Sequence, residues 1–165
     1  MHQVSEDNVL GIEKAIDIYG DMLFRVCLIM LKNEADAEDA VQETFLKYIQ
    51  KAPEFKNAEH EKAWLLKVAN NKCKDIFRSR KMQLSKPQID EGADFDAFTD
   101  SITDILAQVP EKFRIVLTLH YVEDYKVKEI AEIIGKTPSA VKMRLQKGRK
   151  LIEEKYRKEM DFNGF

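Results

Sequence analysis

The stretch KVKEIAEIIGKTPSAVKMRLQKGRK, residues 126–150, gathers eight basic residues in a chain whose formal net charge is −2. Apolar residues recur at helical spacing on both sides of Gly135. Gly135 can adopt the positive φ that ends one helix and starts a turn, and the small side chain of Ala131 lets a second helix approach. Val141 can then close a small core between the two helices. The pattern predicts a helix-turn-helix.

The second helix of this pair, predicted over residues 139–156, divides into two faces on a helical wheel. The inward arc holds Val141, Leu145, Gly148 and Ile152. The outward face carries Ser139, Lys142, Met143, Gln146, Lys147 and Lys150. Thr137 or Ser139 can cap the first turn. Such a helix fits the major groove of DNA, with its N-terminal half on base edges.

Base and phosphate contacts divide among these residues by side-chain chemistry. Gln146 suits adenine, Lys142 suits guanine and Met143 suits the methyl group of thymine. The cations better suited to phosphates, which position a protein without specifying sequence, are Lys147, Arg149, Lys150 and Arg114. The alternative interpretation is an ordinary helical hairpin with a solvated basic face. The combined spacing and the outward set of residues favour DNA.

The composition favours a helical protein without a membrane segment. The 165 residues include only six Gly and four Pro, which indicates long helices and few tight turns. No apolar run approaches the ~18 residues of a membrane helix, and the first residues lack the pattern of a signal peptide. We therefore expect no membrane insertion and a cytoplasmic location.

The reactive residue types show no catalytic or metal-binding pattern. The two cysteines, Cys27 and Cys73, and the three histidines lack metal-ligand spacing. The sequence also has no nucleotide-binding glycine loop and no nucleophile–base pair with meaningful spacing. We therefore expect no cofactor, no metal and no enzymatic activity.

Charge alternates along the chain in large blocks. Residues 62–81 carry seven basic residues and one acidic residue, and residues 112–158 carry 13 basic and six acidic residues. The intervening residues 82–111 carry one basic and seven acidic residues. Two basic blocks that each coincide with an amphipathic helix indicate two separate contacts with polyanions.

Helical periodicity extends over most of the chain. It predicts helices over about 10–31 and 60–80, a helix between them that Pro53 ends, and a second set of helices from Ile102. No strand pattern is convincing. The prediction is an all-α protein of two small helical domains with three parts: a domain at 10–81, a flexible acidic linker at 82–101 and a domain at 102–158.

The helix at 60–80 also divides into two faces. The predicted inner stripe consists of Leu65, Val68, Ala69, Cys73 and Ile76. The predicted outward side consists of Lys67, Asn70, Asn71, Lys74 and Arg78. The first basic block therefore coincides with an exposed helix face.

Three segments resemble the extracytoplasmic-function (ECF) sigma factors of bacterial RNA polymerase. Residues 123–152, EDYKVKEIAEIIGKTPSAVKMRLQKGRKLI, resemble region 4 of that family. Residues 35–50, ADAEDAVQETFLKYIQ, resemble region 2.2, and residues 55–81, FKNAEHEKAWLLKVANNKCKDIFRSRK, resemble regions 2.3 and 2.4. The resemblance implies a promoter-specificity subunit that directs transcription initiation. Region 2 would recognise and melt the −10 element, and region 4 would recognise the −35 element.

The resemblance also implies partners and site residues. The partners would be core RNA polymerase (its β′ clamp helices and β flap), promoter DNA and an anti-sigma factor. The residues facing the clamp helices would be Asp39, Gln42 and Glu43; the alternative is an acidic face that only keeps the surface soluble. The residues on −10 DNA would be Phe55, Lys56, Asn57, Lys67, Asn71, Lys74, Asp75 and Arg78, with Arg80 and Lys81 on phosphates.

Some of these roles have alternatives. The segment Phe55–Glu59 would form the loop that captures a flipped base, and the amide of Asn57 suits such contacts. Phe55 can instead anchor the loop in the core, which is the favoured interpretation. Trp64 is expected to pack in the core, with stacking on DNA as the alternative. Asp75 could accept a hydrogen bond from a cytosine amine.

Two further hypotheses concern regulation. The acidic residues of 82–101, with Phe95 and Phe98, could occupy a basic channel of the polymerase that RNA normally uses; the alternative is a solvated spacer. Two domains with apolar and acidic docking faces would also suit an anti-sigma factor that packs between them.

Two other functions fit part of the sequence. An autonomous helix-turn-helix regulator would bind duplex DNA tightly without polymerase, but it leaves residues 35–50 without a role. A helical protein–protein adaptor would have no DNA role, so a change such as Lys142→Glu would leave transcription unaffected.

Overall fold

The computed structural model describes residues 6–83 and 101–162, so the acidic linker lies almost wholly outside the described residues. Every regular element in the described part is helical. Contacts between Cα atoms divide the chain into two compact units, Met1–Ala93 and Asp94–Phe165. The predicted all-α class with two helical domains is confirmed. No helix within the described ranges is both long enough and apolar enough to cross a membrane.

The first unit contains three helices, α1 (Glu6–Leu31), α2 (Glu34–Lys51) and α3 (Ala58–Gln83). A tight turn joins α1 to α2 through Lys32, whose φ is 56°. The side chain of Asn33 then caps α2 by accepting a hydrogen bond from the backbone N–H of Asp36 at 2.9 Å. The core between the three helices is made of fully or almost fully buried residues: Leu23, Cys27, Ile29, Ala37, Ala40, Leu65, Leu66 and Ala69.

Arg80 ties the end of α3 to the turn between α1 and α2. Its guanidinium donates to the carbonyl oxygen of Leu31 at 3.1 Å and forms an ion pair with Asp36. The carbonyl belongs to the last residue of α1, where a cation satisfies an unpaired backbone acceptor. Arg80 therefore has a structural role in the first unit, and its expected contact with phosphate stays a prediction.

The prediction that Asn70 faces outward is wrong. Only 3% of Asn70 is exposed, and its amide nitrogen and oxygen have no hydrogen-bond partner in the described structure. Both α1 and α2 pack on α3, so the buried arc of α3 is wider than a single apolar stripe.

Replacing Asn70 with an apolar residue of the same branching should stabilise the first unit. A buried polar group without a partner costs free energy, so Asn70→Leu is expected to raise the free energy of unfolding by about 1 kcal/mol. Thermal unfolding followed by the fluorescence of Trp64, the only tryptophan, measures this unit alone. A lower unfolding temperature of Asn70→Leu would contradict the finding that the Asn70 amide has no hydrogen-bond partner.

The second unit contains α4 (Ser101–Ala107), α5 (Glu111–Leu117), a π-helical turn (Thr118–Val122), α6 (Val127–Ile134) and α7 (Pro138–Phe162). Gly135 has a φ of 68° and ends α6, which confirms the predicted turn. Ile130 and Val141 are fully buried and join α6 to α7, also as predicted. Tyr121, in the π-helical turn, is 45% exposed.

Gly148 permits the close contact between α5 and α7. A Cβ atom at this position would lie 2.8 Å from Cδ1 of Leu117 and 3.3 Å from Cβ of Phe113. Leu117 is completely buried and cannot move aside freely. Helix packing therefore requires glycine here despite its low helix propensity.

The variant Gly148→Ala is expected to destabilise the second unit by about 1–2 kcal/mol, because overpacking outweighs the gain in helix propensity. The matched control is Gly20→Ala in α1, where the nearest atom to the new Cβ would be Cγ2 of Ile16 at 3.9 Å. That control should stabilise the first unit by about 0.5–1 kcal/mol. Far-UV circular dichroism and Trp64 fluorescence separate the two transitions. Stabilisation by both substitutions would contradict the packing argument.

Candidate nucleic-acid interface

The outward face of α7 presents every polar residue that the helical wheel assigned to it. Thr137 caps the helix, because its Oγ1 accepts the backbone N–H of Ala140 at 3.1 Å. Val141 and Leu145 are buried on the opposite side and fix the rotation of the helix. The exposed residues on the outward side are Ser139, Lys142, Met143, Gln146, Lys147 and Lys150.

A basic groove lies beside the start of α7. It has a volume of about 580 Å³ and is lined by Lys126, Val127, Lys128, Glu129, Pro138 and Lys142. The side chain of Glu129 accepts the backbone N–H of Lys126 at 3.0 Å and so caps α6. Three lysines, one just before α6, one in α6 and one in α7, thus line one groove. Lys126 and Lys128 were not predicted from the sequence to belong to this basic surface, because their proximity to Lys142 depends on the turn between α6 and α7.

Arg149 lies at the flank of this face. Its Nη1 donates to the hydroxyl oxygen of Tyr121 at 2.9 Å. Tyr121 belongs to the π-helical turn, and the ring of His120 packs edge-on against it with centroids 4.8 Å apart. The guanidinium is thus held in one orientation while it remains exposed.

Arg114 does not join the predicted phosphate-binding set. It is only 6% exposed, and its Nε and Nη2 donate to the carbonyl oxygen of Val109 at 3.2 and 2.8 Å. Burial lowers the pKa of the Arg114 guanidinium, and the nearby carboxylate of Glu111 partly offsets this effect. The Arg114 guanidinium is buried and bonded within the second unit, so the prediction that Arg114 contacts phosphate is wrong.

A second basic face runs along α3 in the other unit. Lys67, Asn71, Lys74 and Arg78 follow one another at intervals of three or four residues, so they lie on one side of the helix. Lys67, Asn71 and Arg78 are exposed, and Lys74 is half-buried. Asp75 flanks the row, and its Oδ1 lies 3.9 Å from Nη1 of Arg78. The arrangement places one amide between cations on an accessible surface.

Aromatic rings support the loop between α2 and α3, residues 52–57. Phe55 stacks on Tyr48 with ring centroids 6.0 Å apart and meets Trp64 edge-on at 5.7 Å. The Tyr48 hydroxyl donates to Glu61 Oε2 at 3.0 Å, and burial together with this bond raises the pKa of Tyr48 to about 12. These contacts support the role of Phe55 as an anchor of the loop. They also place Trp64 among packed rings.

Lys56 and Asn57 lie next to this anchor and are both exposed. Asn57 Oδ1 accepts the backbone N–H of His60 at 2.8 Å, which caps the first turn of α3. Its amide nitrogen has no hydrogen-bond partner within the described ranges. The loop therefore offers one amide donor and one ammonium group at its tip.

An acidic and apolar face covers the exposed side of α2. The residues Asp39, Gln42 and Glu43 are exposed there, and Leu46 and Ile49, at 49% and 43% exposure, continue the same face toward the end of the helix. A groove of about 250 Å³ beside it is lined by Asp36, Asp39, Ala40, Glu43, Lys72, Asp75, Ile76 and Ser79. Lys72 Nζ lies 3.6 Å from Glu43 Oε2. The described residues contain no group of three or more ligands suited to a metal ion.

Comparison with known proteins decides the family. The family model for sigma-70 region 2 matches residues 15–82, and the model for sigma-70 region 4 matches residues 99–152. The RNA polymerase sigma factor SigV of Bacillus subtilis is 30% identical over 143 residues, covering 82% of this chain and 85% of SigV. The chain belongs to the sigma-70 family.

Further relatives place this sigma factor in the ECF group. The ECF RNA polymerase sigma factor SigW of Bacillus subtilis is 26% identical over 175 residues, which covers 94% of each chain. The chain is a sigma factor that directs promoter recognition and transcription initiation, and this finding is favoured over an autonomous helix-turn-helix regulator. Neither matching family model describes a catalytic domain.

Two solved structures share the fold of this sigma factor. The sigma factor RpoE of Bartonella quintana, in complex with the anti-sigma factor NepR, gives a TM-score of 0.69 at 19% identity, covering 86% of this chain and 94% of that one. CnrH in complex with the cytosolic domain of CnrY gives 0.65 at 19% identity, covering 88% and 87%.

Proposed function

We propose that the second unit, residues 102–158, recognises the −35 element as duplex through the outward face of α7. Lys142, Met143 and Gln146 are exposed in the N-terminal half of that helix and have the chemistry for base edges. Lys147, Arg149 and Lys150 follow as phosphate contacts. The groove beside Lys142 adds Lys126 and Lys128 as two further cations available for phosphates.

The first unit, residues 10–81, recognises the −10 element and stabilises its melted strand. The row on α3 supplies base contacts from Asn71 and Asp75, and phosphate contacts from Lys67, Lys74 and Arg78. The loop at 52–57 receives a flipped base beside Lys56 and Asn57, while Phe55 holds the loop from behind. The capture of unstacked bases offsets the cost of opening the duplex.

The acidic and apolar face of α2 binds the β′ clamp helices of core RNA polymerase through Asp39, Gln42 and Glu43. An exposed row of carboxylates beside Leu46 and Ile49 is complementary to a helix that carries both cations and apolar side chains. The second unit contacts the β flap. The polymerase then holds both DNA-reading units at the promoter spacing, which raises their effective concentration.

An anti-sigma factor is the expected regulatory partner. Two similar folds were solved with an anti-sigma factor or with a partner's cytosolic domain. In this chain, the exposed apolar and acidic residues of α2 offer a surface on which such a partner could pack. The chain acts in the cytoplasm, where polymerase and promoter DNA are present, and makes or breaks no covalent bonds itself.

One observation carries the assignment of two promoter elements. Each compact unit presents its own exposed basic helix face, α3 in the first and α7 in the second. A single general affinity for nucleic acid would not need two such faces with amides among the cations.

Run-off transcription with purified core polymerase and genomic DNA from the source organism tests the proposal. The chain should direct new transcripts from core enzyme alone, and block substitution upstream or downstream in the promoters found should each abolish them. A chain that binds duplex tightly without polymerase and yields no transcripts would instead be an autonomous regulator. Transcripts that survive Lys142→Glu unchanged would point to an adaptor without a DNA role.

A further inference from the structure

A reciprocal pair of hydrogen bonds around His60 closes the loop at 52–57. The backbone N–H of His60 donates to Asn57 Oδ1 at 2.8 Å. In return, the backbone N–H of Lys56 donates to Nδ1 of the His60 ring at 3.2 Å. One residue in the first turn of α3 therefore fixes two consecutive loop residues, one through its backbone and one through its side chain.

The ring of His60 also contacts the residue before them. It meets Phe55 edge-on, with centroids 5.4 Å apart and an angle of 85° between the planes. Phe55 is already held by Tyr48 and Trp64. His60 thus connects the exposed tip of the loop, Lys56 and Asn57, to the packed rings behind it.

We propose that His60 is a positioning residue that holds the loop in the conformation that receives a flipped base. The proposal rests on the function proposed above for this loop. A loop ordered before binding does not lose conformational entropy when the base enters, so its order adds to affinity. Because Asn57 Oδ1 is used in the cap, the amide nitrogen is the group left for the base, and it selects hydrogen-bond acceptors.

The chemistry of the ring permits a matched pair of variants. Nδ1 can accept a hydrogen bond only in the neutral imidazole whose proton is on Nε2. Asparagine places its Oδ1 the same number of bonds from Cα, so His60→Asn keeps the acceptor and loses the ring. His60→Phe keeps a ring against Phe55 and loses the acceptor.

The first measurement is amide hydrogen exchange of Lys56 in the full chain without polymerase. Lys56 should exchange about two- to tenfold faster in His60→Phe than in the unaltered chain, the factor that corresponds to one hydrogen bond. His60→Asn should restore protection. Equal exchange of Lys56 in the unaltered chain and His60→Phe would overturn the contact itself.

The second measurement is promoter opening with core polymerase, followed by the permanganate reactivity of unpaired thymines on a promoter found by run-off transcription. His60→Phe should open about two- to tenfold less DNA at limiting chain concentration, and His60→Asn should recover most of it. The control is Glu13→Gln, an equally exposed position in α1 outside the loop, which should open DNA normally. Trp64 fluorescence verifies that each variant is folded.

Two outcomes would overturn the positioning role. Normal opening by His60→Phe would show that the loop needs no support from Nδ1, and equal loss in His60→Asn would show that the acceptor is not the relevant group. If the unaltered chain opens no promoter at all, the function proposed for the loop fails, and the role of His60 fails with it. Loss confined to the His60 variants leaves the proposed function intact.

Discussion

A chain carrying both Lys142→Ala and Gln146→Ala should lose promoter-dependent transcription by about a hundredfold. Each well-placed pair of hydrogen bonds to a base is worth about 1–3 kcal/mol, and 1.4 kcal/mol corresponds to a factor of ten. The two positions are one helical turn apart on the outward face of α7, so their effects need not add fully. Neither side chain is buried, so the fold should be unaffected.

The matched control for this double variant lies on the same helix. Arg157 is exposed, and its Nη2 pairs with Glu153 Oε1 at 3.0 Å. Removal of such a surface pair changes stability by about 0.3–0.5 kcal/mol, so transcription by Arg157→Ala should change less than about twofold. Run-off transcription at equal concentrations of chain compares the two. A double variant that transcribes as well as Arg157→Ala would remove the outward face of α7 from promoter recognition.

The second large effect concerns stability. Arg114→Ala is expected to lower the free energy of unfolding of the second unit by about 2–4 kcal/mol, because it leaves the Val109 carbonyl without its two donors and opens a cavity where the stem packed. Urea unfolding followed by far-UV circular dichroism measures the loss. The fluorescence of Trp64 reports the first unit and should keep its midpoint.

A control and a binding measurement separate this structural role from a DNA contact. Lys136→Ala, an exposed change just after Gly135, should alter stability by less than about 0.5 kcal/mol. Well below its unfolding temperature, Arg114→Ala should retain the salt dependence of DNA binding, since no phosphate contact is lost. If Arg114→Ala unfolds at the same urea concentration as the unaltered chain and its DNA binding depends less on salt, Arg114 contacts phosphate after all.

The helix-turn-helix could be predicted because local rules agree there. Glycine has no Cβ and adopts a positive φ at no steric cost, so Gly135 marks the end of α6. The apolar spacing around Val141 fixes which side of α7 is buried. The exposed residues of α7 follow directly from that rotation. Helical periodicity also allowed the basic row of α3 to be predicted: Lys67, Asn71, Lys74 and Arg78.

The mistaken expectations involve contacts between distant or differently oriented segments. Asn70 is buried because two helices cover α3, and a wheel drawn for one helix cannot show the second neighbour. Arg114 reaches the Val109 carbonyl because of the turn between α4 and α5, which periodicity does not describe. Lys126 and Lys128 line one groove with Lys142 only because of the angle at which α6 meets α7, which periodicity also does not describe.

Directed DNA cleavage tests most directly the claim that two units read two promoter elements. Both native cysteines, Cys27 and Cys73, are buried, so an iron chelate that cuts nearby DNA can be attached to an introduced cysteine at an exposed site. With core polymerase on a mapped promoter, Lys136→Cys should cut only the upstream duplex and Glu59→Cys only the melted downstream segment. Cuts from both positions in the same segment, or from one position only, would contradict the account.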